Sequence, residues 1–170
     1  TRMGLPTVIV SLTGCPLRCV YCDTQNAFTG GKVMSIQEIL NEVANRRTYY
    51  VTVTGGEPMA QKGCLPLLSA LCDAHYSVSI ETSGAFDITK IDQRVSRIVD
   101  IKTPGSGEVS KNQFENLAVI SSSDEIKFVL CNREDYQWAL EIITSYRLTE
   151  VCPILFSPAY GQLEASSLAE

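Results

Sequence analysis

The stretch Val8-Ile9-Val10-Ser11-Leu12-Thr13-Gly14-Cys15-Pro16-Leu17-Arg18-Cys19-Val20-Tyr21-Cys22-Asp23-Thr24 sets the fold and the chemistry of the chain. Its apolar, β-branched start predicts a strand over Val8 to Leu12, and three cysteines follow in one short loop. Three thiolates are one too few to saturate a four-iron cluster or a tetrahedral zinc. A metal held there keeps an open coordination position, which is where metals do chemistry instead of merely holding a fold.

Outward from that strand, similar β-branched runs predict strands at Val51 to Thr54, Val78 to Glu81, Ile98 to Ile101, Ile126 to Leu130 and Cys152 to Phe156. Helical periodicity lies between several of them. Ile36, Ile39, Leu40 and Val43 share a face behind a Ser35/Glu38 capping box, and Leu65, Leu68, Leu71 and Cys72 mark a second helix. A third is expected from about Arg133 to Tyr146 with Asn132 as N-cap, and Glu164 to Glu170 reads as the first turns of another. Pro104 to Lys111 reads as a loop. Alternating strands and helices imply a parallel sheet, and partly alternating strands suit a barrel wall. The expected fold is a partial (β/α)6 TIM-like barrel in a single domain over residues 1–170, with both ends cropped. The unusual residues cluster at strand carboxyl ends, the functional face of parallel β/α folds.

A chain of 170 residues, 45% hydrophobic, can bury one core. Without an apolar signal segment, its seven cysteines are expected to be reduced thiols of a cytoplasmic protein. No run approaches the roughly 20 apolar residues that span a bilayer, so no membrane association is expected. The net charge of −5 is scattered, without the basic footprint of direct nucleic-acid binding. Zinc is the competing occupant of the cysteine loop, but the lone histidine, His75, lies at the opposite end of its β/α unit. Cys64, Cys72, Cys131 and Cys152 read as small buried hydrophobes.

The Cys-x3-Cys-x2-Cys spacing, with aromatic Tyr21 before Cys22, resembles the cluster loop of the radical S-adenosylmethionine superfamily. That resemblance implies a [4Fe-4S] cluster on Cys15, Cys19 and Cys22, with S-adenosylmethionine on the open iron. It implies one-electron cleavage of the sulfonium to a 5′-deoxyadenosyl radical, so that no protein side chain is the catalyst. Gly55-Gly56-Glu57-Pro58 resembles the superfamily's Gly-Gly-Glu-Pro motif, with glycines allowing close approach of a ligand and Glu57 accepting from its ammonium. Glu81, at a strand end, suits a ribose diol. Asp100-Ile101-Lys102 suits the cofactor's polar groups or a local ion pair.

Longer strings resemble one branch of that superfamily: Gly4-Leu5-Pro6-Thr7, Thr13 to Cys19, Cys22-Asp23-Thr24, Val53 to Pro58, Ile101 to Val109 and Leu155 to Pro158. Members of that branch convert 6-carboxy-5,6,7,8-tetrahydropterin into 7-carboxy-7-deazaguanine, with ammonia loss and ring contraction, toward the tRNA base queuosine. The resemblance implies Mg2+ at Thr24, beside Asp23 in the cofactor loop, a pterin contact at Thr54, and a cofactor-binding segment Ser157-Pro158-Ala159-Tyr160. It also implies an electron donor such as flavodoxin and a homodimer. Three departures stand out: no Gln-Gly-Glu string precedes the first strand, the branch's C-terminal segment is absent after Glu170, and Ser11 replaces the arginine that meets the substrate carboxylate. A serine cannot replace a bidentate cation. The rival readings are a radical activase acting on a partner protein's glycine and a non-enzymatic zinc-binding module.

Overall fold

A computed structural model of the chain describes residues 4–169. Its strands are β1 (Thr7–Leu12), β2 (Tyr50–Gly55), β3 (Ser77–Thr82), β4 (Ser96–Asp100), β5 (Glu125–Leu130) and β6 (Ile154–Pro158). The helices are α1 (Ile36–Ala44), α2 (Cys64–Asp73), α3 (Arg133–Ser145) and α4 (Ala165–Ala169). The sheet has six strands in chain order, as the (β/α)6 reading requires. All expected strands form, with two shifts. β4 stops at Asp100, before Ile101, and β6 starts at Ile154, past Cys152. Pro104 to Lys111 is more ordered than a plain loop, folding as two 3-10 turns at Pro104–Ser106 and Val109–Lys111. Of the expected C-terminal helix, Glu170 lies outside the described residues.

Over the described residues the chain forms two compact units: 4–16, 24–82 and 90–97 in the first, 17–23, 83–89 and 98–169 in the second. In the first, β1, β2 and β3 pair in parallel, with Ser11 opposite Thr54 and Val53 opposite Ile80. Val51, Val53, Val78 and Ile80 are buried, as are Leu67, Leu68 and Leu71 of α2. Each such side chain contributes about 1.5–3 kcal/mol on burial. The Ser35/Glu38 capping box starts α1 as expected: Ser35 Oγ accepts from Glu38 N and Glu38 Oε2 accepts from Ser35 N. The Ser35 N–H, and after it the Ser35 hydroxyl, donate to the Glu38 carboxylate and hold it below its usual range.

In the second unit β4, β5 and β6 pair in parallel, placing Val129 opposite Ser157 and Asp100 opposite Lys127. α3 buries Asp135, Ala139 and Ile143, spaced every fourth residue along one face, and Asn132 caps it by accepting from Asp135 N at 2.9 Å. Among the described residues no helix is long and apolar enough to cross a membrane.

Candidate functional site

In the first unit the backbone just before Cys15 is laced to its neighbours. Gly14 N donates to Ala27 O at 2.7 Å, and Gly56 N and Glu57 N donate to Leu12 O and Gly14 O, each at 2.9 Å. The glycine pair permits this lacing. A Cβ on Gly55, at φ +127°, would collide with the Leu12 carbonyl, and one on Gly56 would lie 2.5 Å from Gly14 O. The close approach expected from a ligand is thus already made by the protein's own backbone.

Glu57 is 1% exposed, and its Oε1 accepts from Met59 N at 2.9 Å and Thr82 Oγ1 at 2.8 Å. A buried carboxylate needs such donors. Glu57 therefore caps the 3-10 turn Pro58–Ala60 and ties it to β3. Glu81 is exposed at the end of β3 and accepts from Thr54 Oγ1 at 3.1 Å. One step lower, Thr52 and Ser79 share a hydroxyl hydrogen bond. With Ser11 opposite Thr54, a polar row runs across the carboxyl ends of these strands. Thr24 is half-buried and opens a turn in which Ala27 N donates to its carbonyl.

In the second unit, Cys22 N donates to Cys19 O at 3.1 Å, folding Cys19 to Cys22 into one turn. Asp23 follows it, exposed. Beside that turn Lys102 Nζ lies 5.8 Å from the centre of the Tyr21 ring and 3.0 Å from Asp100 Oδ2. Among the described residues, the Tyr21 hydroxyl and Asp100 Oδ1 are buried without a hydrogen-bond partner. Burial first, then the nearby charge of Asp100, pushes the Tyr21 phenol well above its ordinary range. Lys102 is held in place by Asn112, whose side-chain amide accepts from Lys102 N and donates to Lys102 O. Ile101 is fully buried in the core, and its N–H donates to Lys127 O at 2.9 Å. At the end of β6, Ala159 is buried and donates its N–H to Leu130 O, whereas Tyr160 is 99% exposed.

None of the seven cysteines is in a disulfide; Cys15, Cys19 and Cys22 are half-buried, and Cys64, Cys72, Cys131 and Cys152 are buried as expected. Burial pushes the Cys64 thiol up to about 12 and the Cys131 thiol up to about 11, with Glu57 and Asp135 adding to the respective shifts. Among the described residues no three Cys, His, Asp or Glu side chains converge as a ready-made metal site. Three half-buried thiols on one short stretch of chain are nonetheless the donor type that an iron–sulfur cluster takes. The orphaned Tyr21 hydroxyl and Asp100 oxygen fit a polar cofactor, since buried polar atoms take partners when these are within reach.

Sequence reasoning missed several residues. Asp135 is 1% exposed and accepts from Gly105 N and Cys131 N, and Glu108 accepts from Arg18 N at 2.6 Å. Asp135 looks like any first-turn helix acid, and nothing in its spacing signals the burial. Glu108 did carry a signal, as part of the matching string Ile101 to Val109.

The family model described as Radical SAM superfamily matches residues 9–148, spanning the cysteine loop and the first five strands. The chain belongs to this superfamily. Among curated proteins, this radical SAM chain is 41% identical over 170 residues to a 7-carboxy-7-deazaguanine synthase of Chlorobaculum tepidum, covering 98% of the chain and 77% of the relative. A protein of the same name from Koribacter versatilis is 41% identical over 160 residues, covering 92% and 71%. The chain is thus a member of the 7-carboxy-7-deazaguanine synthase family. Among solved structures, Streptococcus suis SuiB bound to precursor peptide SuiA matches with a TM-score of 0.68 at 14% identity, covering 94% of the chain and 42% of SuiB. TYW1 with a lysine-pyruvate adduct bound matches at 0.65 and 15%, covering 95% and 66%. These likenesses show the shared fold. Membership in this superfamily sets aside the zinc-binding module.

Proposed function

We propose that this chain converts 6-carboxy-5,6,7,8-tetrahydropterin into 7-carboxy-7-deazaguanine, with loss of ammonia and ring contraction. The observation that carries this reading is the 41% identity to the Chlorobaculum tepidum synthase over 98% of the chain, cysteine loop included. Cys15, Cys19 and Cys22 hold the [4Fe-4S] cluster. When bound, the cluster and S-adenosylmethionine supply the radical that abstracts a hydrogen atom from the substrate.

The side chains bind and orient. The Gly55-Gly56 turn, fixed by its bonds to Leu12 and Gly14, offers rigid backbone to the cofactor. Tyr21 and Asp100 offer their unpartnered oxygens to its polar groups, with Lys102 locking the second carboxylate oxygen. Glu81 meets the ribose diol while Thr54 steadies its other oxygen. Asp23, Ile101, Ser157, Pro158 and Ala159 border the cofactor, and Tyr160 reaches it from its exposed position. Glu57 acts by shaping the glycine turn. Ser11 and Thr54 face the pterin, and Thr24 would offer one hydroxyl to Mg2+, a cation that takes oxygen ligands. Ser11 gives the substrate carboxylate a single neutral hydrogen bond in place of an arginine fork. The chain works as one catalytic domain in the cytoplasm, as a homodimer supplied with electrons by a flavodoxin-type donor.

The test is anaerobic reconstitution, then incubation with reductant, S-adenosylmethionine, Mg2+ and the carboxytetrahydropterin. Deazaguanine product is expected, its yield falling when Mg2+ is omitted. Cys19→Ala abolishes both the brown cluster and the product. A cluster that cleaves S-adenosylmethionine yet forms no deazaguanine overturns the substrate assignment.

A further inference from the structure

The segment from Thr103 to Glu108 is anchored in the second unit and grips the turn that carries Cys19. Thr103 is fully buried and donates its hydroxyl to Val129 O at 3.0 Å. Asp135 closes the next anchor: one carboxylate oxygen accepts from Gly105 N at 2.7 Å and the other from Cys131 N at 2.9 Å. A side chain at residue 105 would collide with that carboxylate and lie 2.9 Å from the Cys131 Cβ, so glycine is required there. Ser106 is fully buried, donating to Thr103 O and accepting from Glu108 N at 3.0 Å. Gly107, at φ +78°, turns the chain outward.

The outer edge of this anchored segment holds the two backbone amides that flank Cys19. Arg18 N donates to Glu108 Oε1 at 2.6 Å and Val20 N donates to Ser106 O at 3.0 Å. Neither amide is left to point at a cluster sulfur. Hydrogen bonds to the sulfurs and local charge set the potential of an iron–sulfur centre, because donors and positive charge stabilise the more negative, reduced state. We infer that Glu108 is a positioning residue for the cluster: it clamps the Cys19 turn and, by withholding the Arg18 amide and adding its own negative charge, keeps the cluster strongly reducing. Asp135 is the buried anchor that fixes the clamp.

This inference rests on the reading of the cysteine loop as a cluster site, and its test needs no pterin. Full-length parent, Glu108→Ala and Glu108→Gln are reconstituted anaerobically. The midpoint potential is measured by redox titration followed by electron paramagnetic resonance, and iron release is timed against a chelator. Glu108 is half-buried, so both variants keep the fold, which circular dichroism verifies. In Glu108→Ala the potential shifts to a more positive value and iron leaves faster. In Glu108→Gln, which keeps an acceptor without the charge, iron release stays near the parent rate while the potential still rises. Failure of Glu108→Ala to load a cluster that Glu108→Gln accepts also supports the clamp. A parental potential and iron-release rate in Glu108→Ala overturn the inference, as does a lowered melting temperature with no change in potential. A parent chain that takes up no cluster overturns the cluster reading itself, and this is seen without any variant.

Discussion

Replacing Gly55 by alanine puts a methyl group into the backbone of β1. The new Cβ would collide with the Leu12 carbonyl and lie 2.5 Å from Leu12 N and 2.9 Å from Leu12 C, all backbone atoms that cannot swing aside. Overpacking of this kind costs about 1–3 kcal/mol. Holding alanine at φ +127° adds about 1–2 kcal/mol. The sum, about 2–5 kcal/mol, is a large share of the ~5–15 kcal/mol by which a domain is stable. At about 2–4 °C per kcal/mol for a chain of this size, melting falls by about 4–20 °C. The Gly56 N bond to Leu12 O, which sets the glycine turn, is strained at the same time, so product formation falls as well. The assay is thermal melting followed by circular dichroism, with Gly63→Ala as the control. Gly63 has φ −81° and no atom within 4 Å of an added Cβ, so its replacement changes stability by about 1 kcal/mol or less. A Gly55→Ala protein melting within about 2 °C of the parent refutes the argument, because the backbone would then have absorbed the methyl group without cost.

Alkylation of the cluster-free chain at about pH 8, followed by peptide mass mapping, is expected to label Cys15, Cys19 and Cys22 well before the buried Cys64 and Cys131, whose thiols are pushed up to about 12 and about 11; equal rates at Cys19 and Cys64 count against that burial. The Arg94 guanidinium donates to both Asp92 oxygens and holds that carboxyl far below its ordinary range. Because the folded value is depressed, Asp92 contributes stability above the unfolded value of about 4, and this is lost as pH falls from there toward the folded value. Arg94→Gln should flatten that acid-side loss in urea-unfolding midpoints measured at about pH 5 down to about pH 3, and an unchanged slope sinks the assignment.

Much of the fold is written in local pattern. The Ser35/Glu38 box, the Asn132 cap and the β-branched runs each depend on neighbours within a few residues, and each forms as expected. The cysteine string carries its chemistry in its spacing, and the buried state of Cys64, Cys72, Cys131 and Cys152 follows from their apolar settings. Long-range packing is what the sequence hides. Glu57 reads as an acceptor for a ligand's ammonium, and its burial as a cap comes from Thr82 of the next strand and from Met59, which the motif does not signal. The Gly55 and Gly56 requirement comes from Leu12 and Gly14, some forty residues earlier, and so has no local signature. Asp135 gathers amides from Gly105 and Cys131, partners that only the folded chain brings together.

The Asn112 amide that pairs with both backbone groups of Lys102 does what another strand residue would do, and it ends the pairing there. Its larger consequence concerns modularity. Residues 103–111 leave the sheet and return to a fixed point, so the intervening chain is a closed excursion whose ends are stitched shut. The closure cost of such an excursion rises only slowly with length, by about 0.6 kcal/mol per doubling. Insertions near its exposed stretches are therefore absorbed within the excursion, and β4 keeps its register with β5 whatever length the excursion takes.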